Sequence, residues 1–210
     1  MALVVQGDTC GEVWEHAVMR VVKEGTYVAS VRGPVLEILN VALVVKCPQK
    51  EPRISPRSPL FQNSEMFLSS VRNHPRIVNW YGMNQLDKIV GILERDMVSR
   101  RAVITLWDPQ EDLKAPNPQG VVSCNFAIRR DPEHRRDMLH LTSTFRTTDA
   151  WMCNWSLAGM PDVQCAVVER LRSSGKELRD LTVGSYTQIH YSFHLYLDDV
   201  NNVRHHLLGQ

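Results

Sequence analysis

From Val183 to Leu197 the chain alternates residue by residue. Thr187, Ile189, Tyr191, Phe193, Leu195 and Leu197 share one parity, and Tyr186, Gln188, His190, Ser192, His194 and Tyr196 the other. A period of two belongs to a β-strand, whose successive side chains point to opposite faces. The even row sets His190, Ser192, His194 and Tyr196 in a line at steps of about 6 to 7 Å. That spacing suits sugar hydroxyls better than a single metal ion, so the row is expected to line a site. A strand turned to solvent is the plainer reading of the same pattern.

The rest of the chain supplies a sheet for this strand and helices to cover it. Val13, Trp14, Ala17, Val18, Val21 and Val22 fall on one stripe at helical spacing within residues 11–24, which stop at Gly25. Residues 35–46 have the Val, Ile and Leu content of a buried strand, and Cys47-Pro48 ends it. Pro48, Pro52, Pro56 and Pro59 then force a surface loop over 48–62. Helices are expected over 64–71 and 84–95, the second burying Leu86, Ile89, Val90 and Leu93. Residues 101–107 read as a strand closed by Asp108-Pro109, and 110–120 as an excursion. Residues 121–130 and 138–146 read as a hairpin at the sheet edge, joined by the charged turn 131–137. Residues 149–174 read as one long helix, or as two broken near Gly159-Met160-Pro161. This is an α/β (α+β) pattern, and 210 residues with 43% apolar content fill one domain, residues 1–210.

Composition narrows the partners. Lys and Arg total 24 against 23 Asp and Glu, so no broad field exists to coat nucleic acid, and anion recognition must be local. Cys10, Cys47, Cys124, Cys153 and Cys165 are odd in number, scattered and never arranged as CxxC. That pattern argues against a disulfide framework and a zinc knuckle, and for a reducing, cytoplasmic location. No run approaches the roughly 18 apolar residues of a membrane span. No glycine-rich loop of the phosphate-binding kinds is present, and no metal site is expected.

Local anion recognition has a candidate in Arg100-Arg101, two guanidinium forks at a strand's start that suit a phosphate dianion. Arg32 before Gly33-Pro34 and the run Phe145-Arg146-Thr147-Thr148-Asp149 add to it, so a small phosphorylated ligand is expected. His140, Thr142, Thr144 and Arg146 form a second polar strand face that invites a shared cavity. Each residue also has a plainer role. Arg32 suits a surface turn, Asp149 a helix N-cap, and Glu65 a solvated helix face or, beside Met66-Phe67-Leu68, a partly buried acid. Cys124 shares the apolar face of its strand with Val122, Phe126 and Ile128. It reads as a buried thiol unless arginines aimed at it lower its pKa.

In order and spacing these segments resemble the thymidylate synthase superfamily, particularly its shorter archaeal-type members and the related pyrimidine nucleotide hydroxymethylases. Ser99-Arg100-Arg101 leading to Trp107-Asp108-Pro109 is similar to the family's SRR, strand and W-(N/D)-P; Arg146-Thr147-Thr148-Asp149 to its R-S-x-D; His194-Leu195-Tyr196 to its H-I-Y. The resemblance covers nearly the whole chain and implies a thymidylate-synthase-like single domain. Its large twisted mixed sheet would be flanked by helices and paired sheet to sheet in a homodimer.

Carried over residue by residue, the resemblance makes Cys124 the nucleophile and Glu65 and Asp149 the groups that order water, move protons and meet base and folate. Arg32, Arg146 and Thr147 would bind the substrate phosphate, with Arg100 and Arg101 lent by the second subunit. His194 and Tyr196 would bond the sugar hydroxyl. The family's uracil-reading asparagine aligns with Leu157, and Asn154 lies one helical turn before it. Ser123-Cys124-Asn125 stands where the family has Pro-Cys-His.

The implied chemistry is one-carbon transfer from 5,10-methylenetetrahydrofolate to C5 of a pyrimidine nucleoside 5'-monophosphate. Thiolate addition at C6 would make C5 nucleophilic, and the product would carry methyl or hydroxymethyl. The base is uracil or cytosine, the sugar ribose or deoxyribose. A non-catalytic nucleotide-binding protein of the same fold is the alternative, and a phosphate-sugar enzyme of another α/β type a third.

Overall fold

Three long strands hold the molecule together, and the computed structural model, which describes residues 2–132, 135–174 and 178–209, joins them side by side. In chain order the elements are β1 (Leu3–Gly7), α1 (Cys10–Glu24), β2 (Thr26–Ser30), β3 (Gly33–Val45), α2 (Ser64–Arg72), α3 (Pro75–Val78) and α4 (Gln85–Arg95). They continue as β4 (Val103–Thr105), α5 (Pro109–Asp112), β5 (Val121–Arg130), β6 (Asp137–Asp149), α6 (Asn154–Ser173), β7 (Thr182–Tyr196) and α7 (Leu197–Leu208). The strands form one mixed sheet in the order β1-β3-β7-β6-β5-β4, with β2 paired to β3. β1 with β3 and β6 with β7 run parallel, and the other pairs antiparallel.

Helices cover one face because their apolar stripes match it. α1 starts where the Thr9 hydroxyl accepts the Glu12 N–H at 3.2 Å, and it buries Val13, Trp14, Ala17, Val18 and Val21. Trp14 donates from Nε1 to the Ala150 carbonyl at 3.0 Å and lies against Trp151, tying the N-terminal helix to the end of β6. α6 is a single helix, and Pro161 does not break it. The carbonyls around the proline are taken up by the surface loop: Arg53 donates to the Ala158 carbonyl and Gln49 to that of Pro161. Gly159 lets α2 approach α6, since a Cβ there would meet Val71 at 2.8 Å.

Two further expectations change. The β5–β6 hairpin does not lie at the edge: β6 pairs with both β5 and β7, and the edge is the three-residue β4. Within its connecting turn, residues 133–134 lie outside the described residues. In β7 the faces exchange partway along. Tyr186, Gln188 and His190 are fully buried, but so are Phe193 and Leu195, and the His190 and Phe193 rings sit 4.9 Å apart.

The cause is a fault running across neighbouring strands. The β3–β7 register skips Asn40 opposite Tyr191, and the β6–β7 register skips Arg146 opposite Tyr191. Asn40 adopts φ 58°, a left-handed conformation that asparagine tolerates better than most residues. Beyond this line Ser192, His194 and Tyr196 leave the packed face and become available to a cleft.

Candidate functional site

Two cavities meet at Thr147. The first, about 320 Å³, is bounded by Arg32, Glu37, Arg146, Ser192, His194 and Tyr196. Arg146 leaves β6 at the fault and is held by its own donors, Nε to the Gln119 carbonyl at 2.9 Å and Nη2 to that of Pro118 at 2.7 Å. Its guanidinium rests on the Trp107 ring at 5.7 Å. Arg32 reaches the same loop, donating to the Pro116 carbonyl at 2.6 Å and to Asn117. Burial, and then the charge of Arg32, lower the pKa of Arg146, so two like charges face each other. Among the described residues neither has a carboxylate partner. Two guanidiniums without an ion-pair partner can hold an anion between them.

Polar groups of β6, β7 and β3 stand beside them. Thr147 lies 3.2 Å from His194 Nδ1, and Ser192 donates to Glu37 at 2.6 Å. Burial lowers the His194 pKa, and Glu37 partly opposes that shift.

The second cavity, about 270 Å³, lies on the helix side and is mainly apolar, with Val121, Phe145, Met152, Trp155 and Met160 in its walls. Its polar groups include His74, Gln119, Thr148 and Asp149. Asp149 accepts the Trp151 N–H at 3.0 Å, so it caps the following turn while facing the cavity. Burial pushes its carboxyl up to about 6, with Asp199 adding to the effect. The arrangement can hold an anion at one end, a polar ring in the middle and a flat apolar group against Trp155. It also offers a carboxyl able to give or take a proton near neutral pH.

Several expected residues stand elsewhere. Cys124 is fully buried between β4 and β6, paired with Ile104 and Ser143, and its Sγ lies 3.9 Å from Met160 Sδ. Burial alone pushes the thiol up to about 12. The condition under which a nucleophile was expected, a cationic pocket, is therefore absent around it, and Gly120 and Val121 face the cavity instead. Cys153 does line the cavity, but burial and Asp149 hold its thiol far above the ordinary range.

Glu65 points to solvent and pairs with Arg72 at 3.3 Å, because α2 buries only Val71. Asn154 is a structural tie: its Oδ1 accepts the Ser55 N–H and its Nδ2 donates to the Arg53 carbonyl. Leu157 is packed in the core. Neither lines the cavity. Arg100 and Arg101 are exposed at the head of β4, outside the cleft of their own chain.

Sequence reasoning missed His74, Gln119 and Glu37. His74-Pro75 carries a helix-start signal, but Gln119 lies in a stretch whose Pro and Asn content says only that it is a loop. Among the described residues no cluster of His, Cys, Asp or Glu could hold a metal ion, and no helix is long and apolar enough to cross a membrane.

An α/β protein with an arginine-bearing cleft opening into an apolar pocket is the class these features define. No protein-family model matches the chain. Curated archaeal relatives do. A Methanosarcina barkeri protein named "Putative thymidylate synthase" is 22% identical over 98% of this chain and 95% of its own length. One of the same name from Methanothermobacter thermautotrophicus is 25% identical over 73% of this chain and 80% of its own. Another, from Methanopyrus kandleri, is 30% identical over 53% of this chain, an alignment spanning 59% of that protein. At these identities the chain is thymidylate-synthase-like.

Two outcomes follow from the placements. Iodoacetamide applied to the native protein should alkylate exposed Cys47 and spare Cys124 until denaturant is added, read by peptide mass spectrometry. Rapid native labelling of Cys124 would show that its thiol reaches solvent. Asp149 binds its proton more tightly folded than unfolded, so its contribution to stability is full below pH 3.8 and is lost as pH rises through about 6. Asp149→Asn should therefore gain on the order of 2 kcal/mol relative to wild type at pH 8 compared with pH 4 in urea titrations. Parallel stability profiles would place the carboxyl in water.

Proposed function

We propose that the cleft binds a pyrimidine nucleoside 5'-monophosphate: phosphate on Arg32 and Arg146 beside Thr147, sugar on His194 and Tyr196, base in the apolar cavity near Asp149. The facing guanidiniums of Arg32 and Arg146 carry this reading, because their mutual repulsion is relieved by a bound dianion. The names of the archaeal relatives point to the same ligand class and to a thymidylate-synthase-like transferase of nucleotide biosynthesis.

The finer reading is one-carbon transfer to the ring C5. The apolar walls at Met152 and Trp155 suit a flat heteroaromatic group, and Asp149 suits its ring N–H, so 5,10-methylenetetrahydrofolate fits the donor set. When bound, it would supply the carbon at the methylene oxidation level. Asp149, its carboxyl pushed up to about 6, would move a proton between cavity and ring.

The buried position of Cys124 favours a second reading, nucleotide binding without transfer, since a thiolate adduct at C6 needs a sulfur in the cavity. Of the two, the geometry supports this one best. Calorimetry with UMP, dUMP, CMP and dCMP should show binding, weakened roughly ten- to a hundred-fold by Arg146→Ala or Arg32→Ala. C5-tritiated nucleotides with the folate should release no tritium to water. Release that Cys124→Ala abolishes while binding persists would restore the cysteine and the transferase reading. No binding of any of the four nucleotides would refute both.

The sheet's uncovered face supports a homodimer. Val4, Ala42, Ile189, Thr144, Ser123 and Thr105 form one row across six strands, and among the described residues no helix lies over it. Ile189 and Tyr191 there are 43% and 64% exposed, more apolar surface than a monomer's sheet ordinarily leaves in water. Pairing through this face would let Arg100 and Arg101 serve the partner's phosphate site. Sedimentation should give a dimer at micromolar concentration; a monomer would remove the shared arginines.

A further inference from the structure

His74 and Gln119 meet at the wall of the apolar cavity, and nothing above assigns them a task. The protonation of His74 is fixed by its neighbours. Its Nδ1 accepts the backbone N–H of Arg76 at 3.2 Å, and a ring nitrogen that accepts carries no proton. Burial, and then the charge of Arg76, hold its pKa below the ordinary histidine range, so at pH 7 the ring is neutral. Its one proton therefore sits on Nε2.

That nitrogen lies 2.5 Å from the terminal amide of Gln119. An N–H must face an acceptor, and the two ends of an amide exchange by a half-turn. The Gln119 oxygen consequently faces His74, which leaves the amide NH2 for the cavity. The rest of Gln119 is also held. Its carbonyl accepts Arg146 Nε, and its backbone N–H donates to Asp112 at 3.4 Å. Asp112 is itself locked to Arg76 at 2.5 Å.

We propose that Gln119 is the base-reading residue of the cavity, donating an amide N–H to a ring carbonyl, and that His74 is the positioning residue that forbids the flipped amide. The proposal deepens the nucleotide reading and rests on it. A fixed donor meets the C4 carbonyl of a uracil-type base favourably and meets the C4 amine of a cytosine-type base donor to donor. A site built to make one hydrogen bond rejects the ligand that leaves its group unpaired.

The test is the ratio of dissociation constants for CMP over UMP, and for dCMP over dUMP, by calorimetry. Wild type should favour the uridylates by about ten-fold or more. Gln119→Leu should bring the ratio to about one, and Gln119→Glu, which offers an acceptor, should invert it. His74→Ala frees the amide to turn and should collapse the ratio while uridylate still binds, an effect that loss of folding would not produce. If a glutamine variant binds nothing, the ratio in His74→Ala decides.

A wild-type preference for cytidylates, no preference, or a ratio unmoved in Gln119→Leu or His74→Ala overturns the proposal and leaves the nucleotide reading standing. Failure of wild type to bind any nucleotide overturns both.

Discussion

The site exists because the strands exchange faces along one line while keeping their register. Asn40, Tyr191 and Arg146 are skipped in the pairing of β3, β7 and β6, and the left-handed turn at Asn40 marks the fault. On one side of it the even residues of β7 are buried beneath helices; on the other Ser192, His194 and Tyr196 face a cleft. An unfaulted strand would have kept His194 and Tyr196 on the face that holds Tyr186 and Gln188. The local cost of irregular pairing is offset by the cores on either side, and what it yields is a cavity with strand-mounted polar groups.

Around that line the loop 113–120 acts as a shared bracket. Its carbonyls at Pro116, Pro118 and Gln119 receive both cleft arginines, and Asp112 at its start is clamped by Arg76. Arg76, on α3, also donates to the Leu106 carbonyl at 2.6 Å and lies over Trp80, so the bracket is anchored to α3 and to the segment just after β4. The cleft arginines and the cavity wall are thus parts of one hydrogen-bonded unit.

The burial of the Cys124 thiol away from the cavity changes what such a cavity can do. A pyrimidine C5 becomes nucleophilic only when something adds at C6, and Cys124 lies behind Met160 with a pKa near 12. What faces the cavity is Asp149, whose raised pKa gives it a proton to trade near neutrality. The cavities are thus lined by polar and cationic groups, with the Cys124 sulfur outside them.

Much of the fold was legible in the chain. The helical stripe of α1, the long apolar run of β3 and the alternation of β7 each carry their own period, because neighbours in sequence decide which faces are apolar. Arg146 and Asp149, which line the two cavities, stood out too, as a charged run closing an apolar strand. What the sequence by itself determined is therefore the list of elements and the local chemistry of the strand ends. Only the tertiary structure decided that β6 is interior, that α6 runs through Pro161, that Glu65 faces water and Asn154 ties down a loop, and that Cys124 looks into hydrocarbon. Three of these depend on a partner far away in the chain: Met160 for Cys124, Arg53 for α6, Ser55 for Asn154. The period of a strand states that a side chain turns inward, but whether inward means a core or a cleft is set by what the other strands and helices leave unfilled.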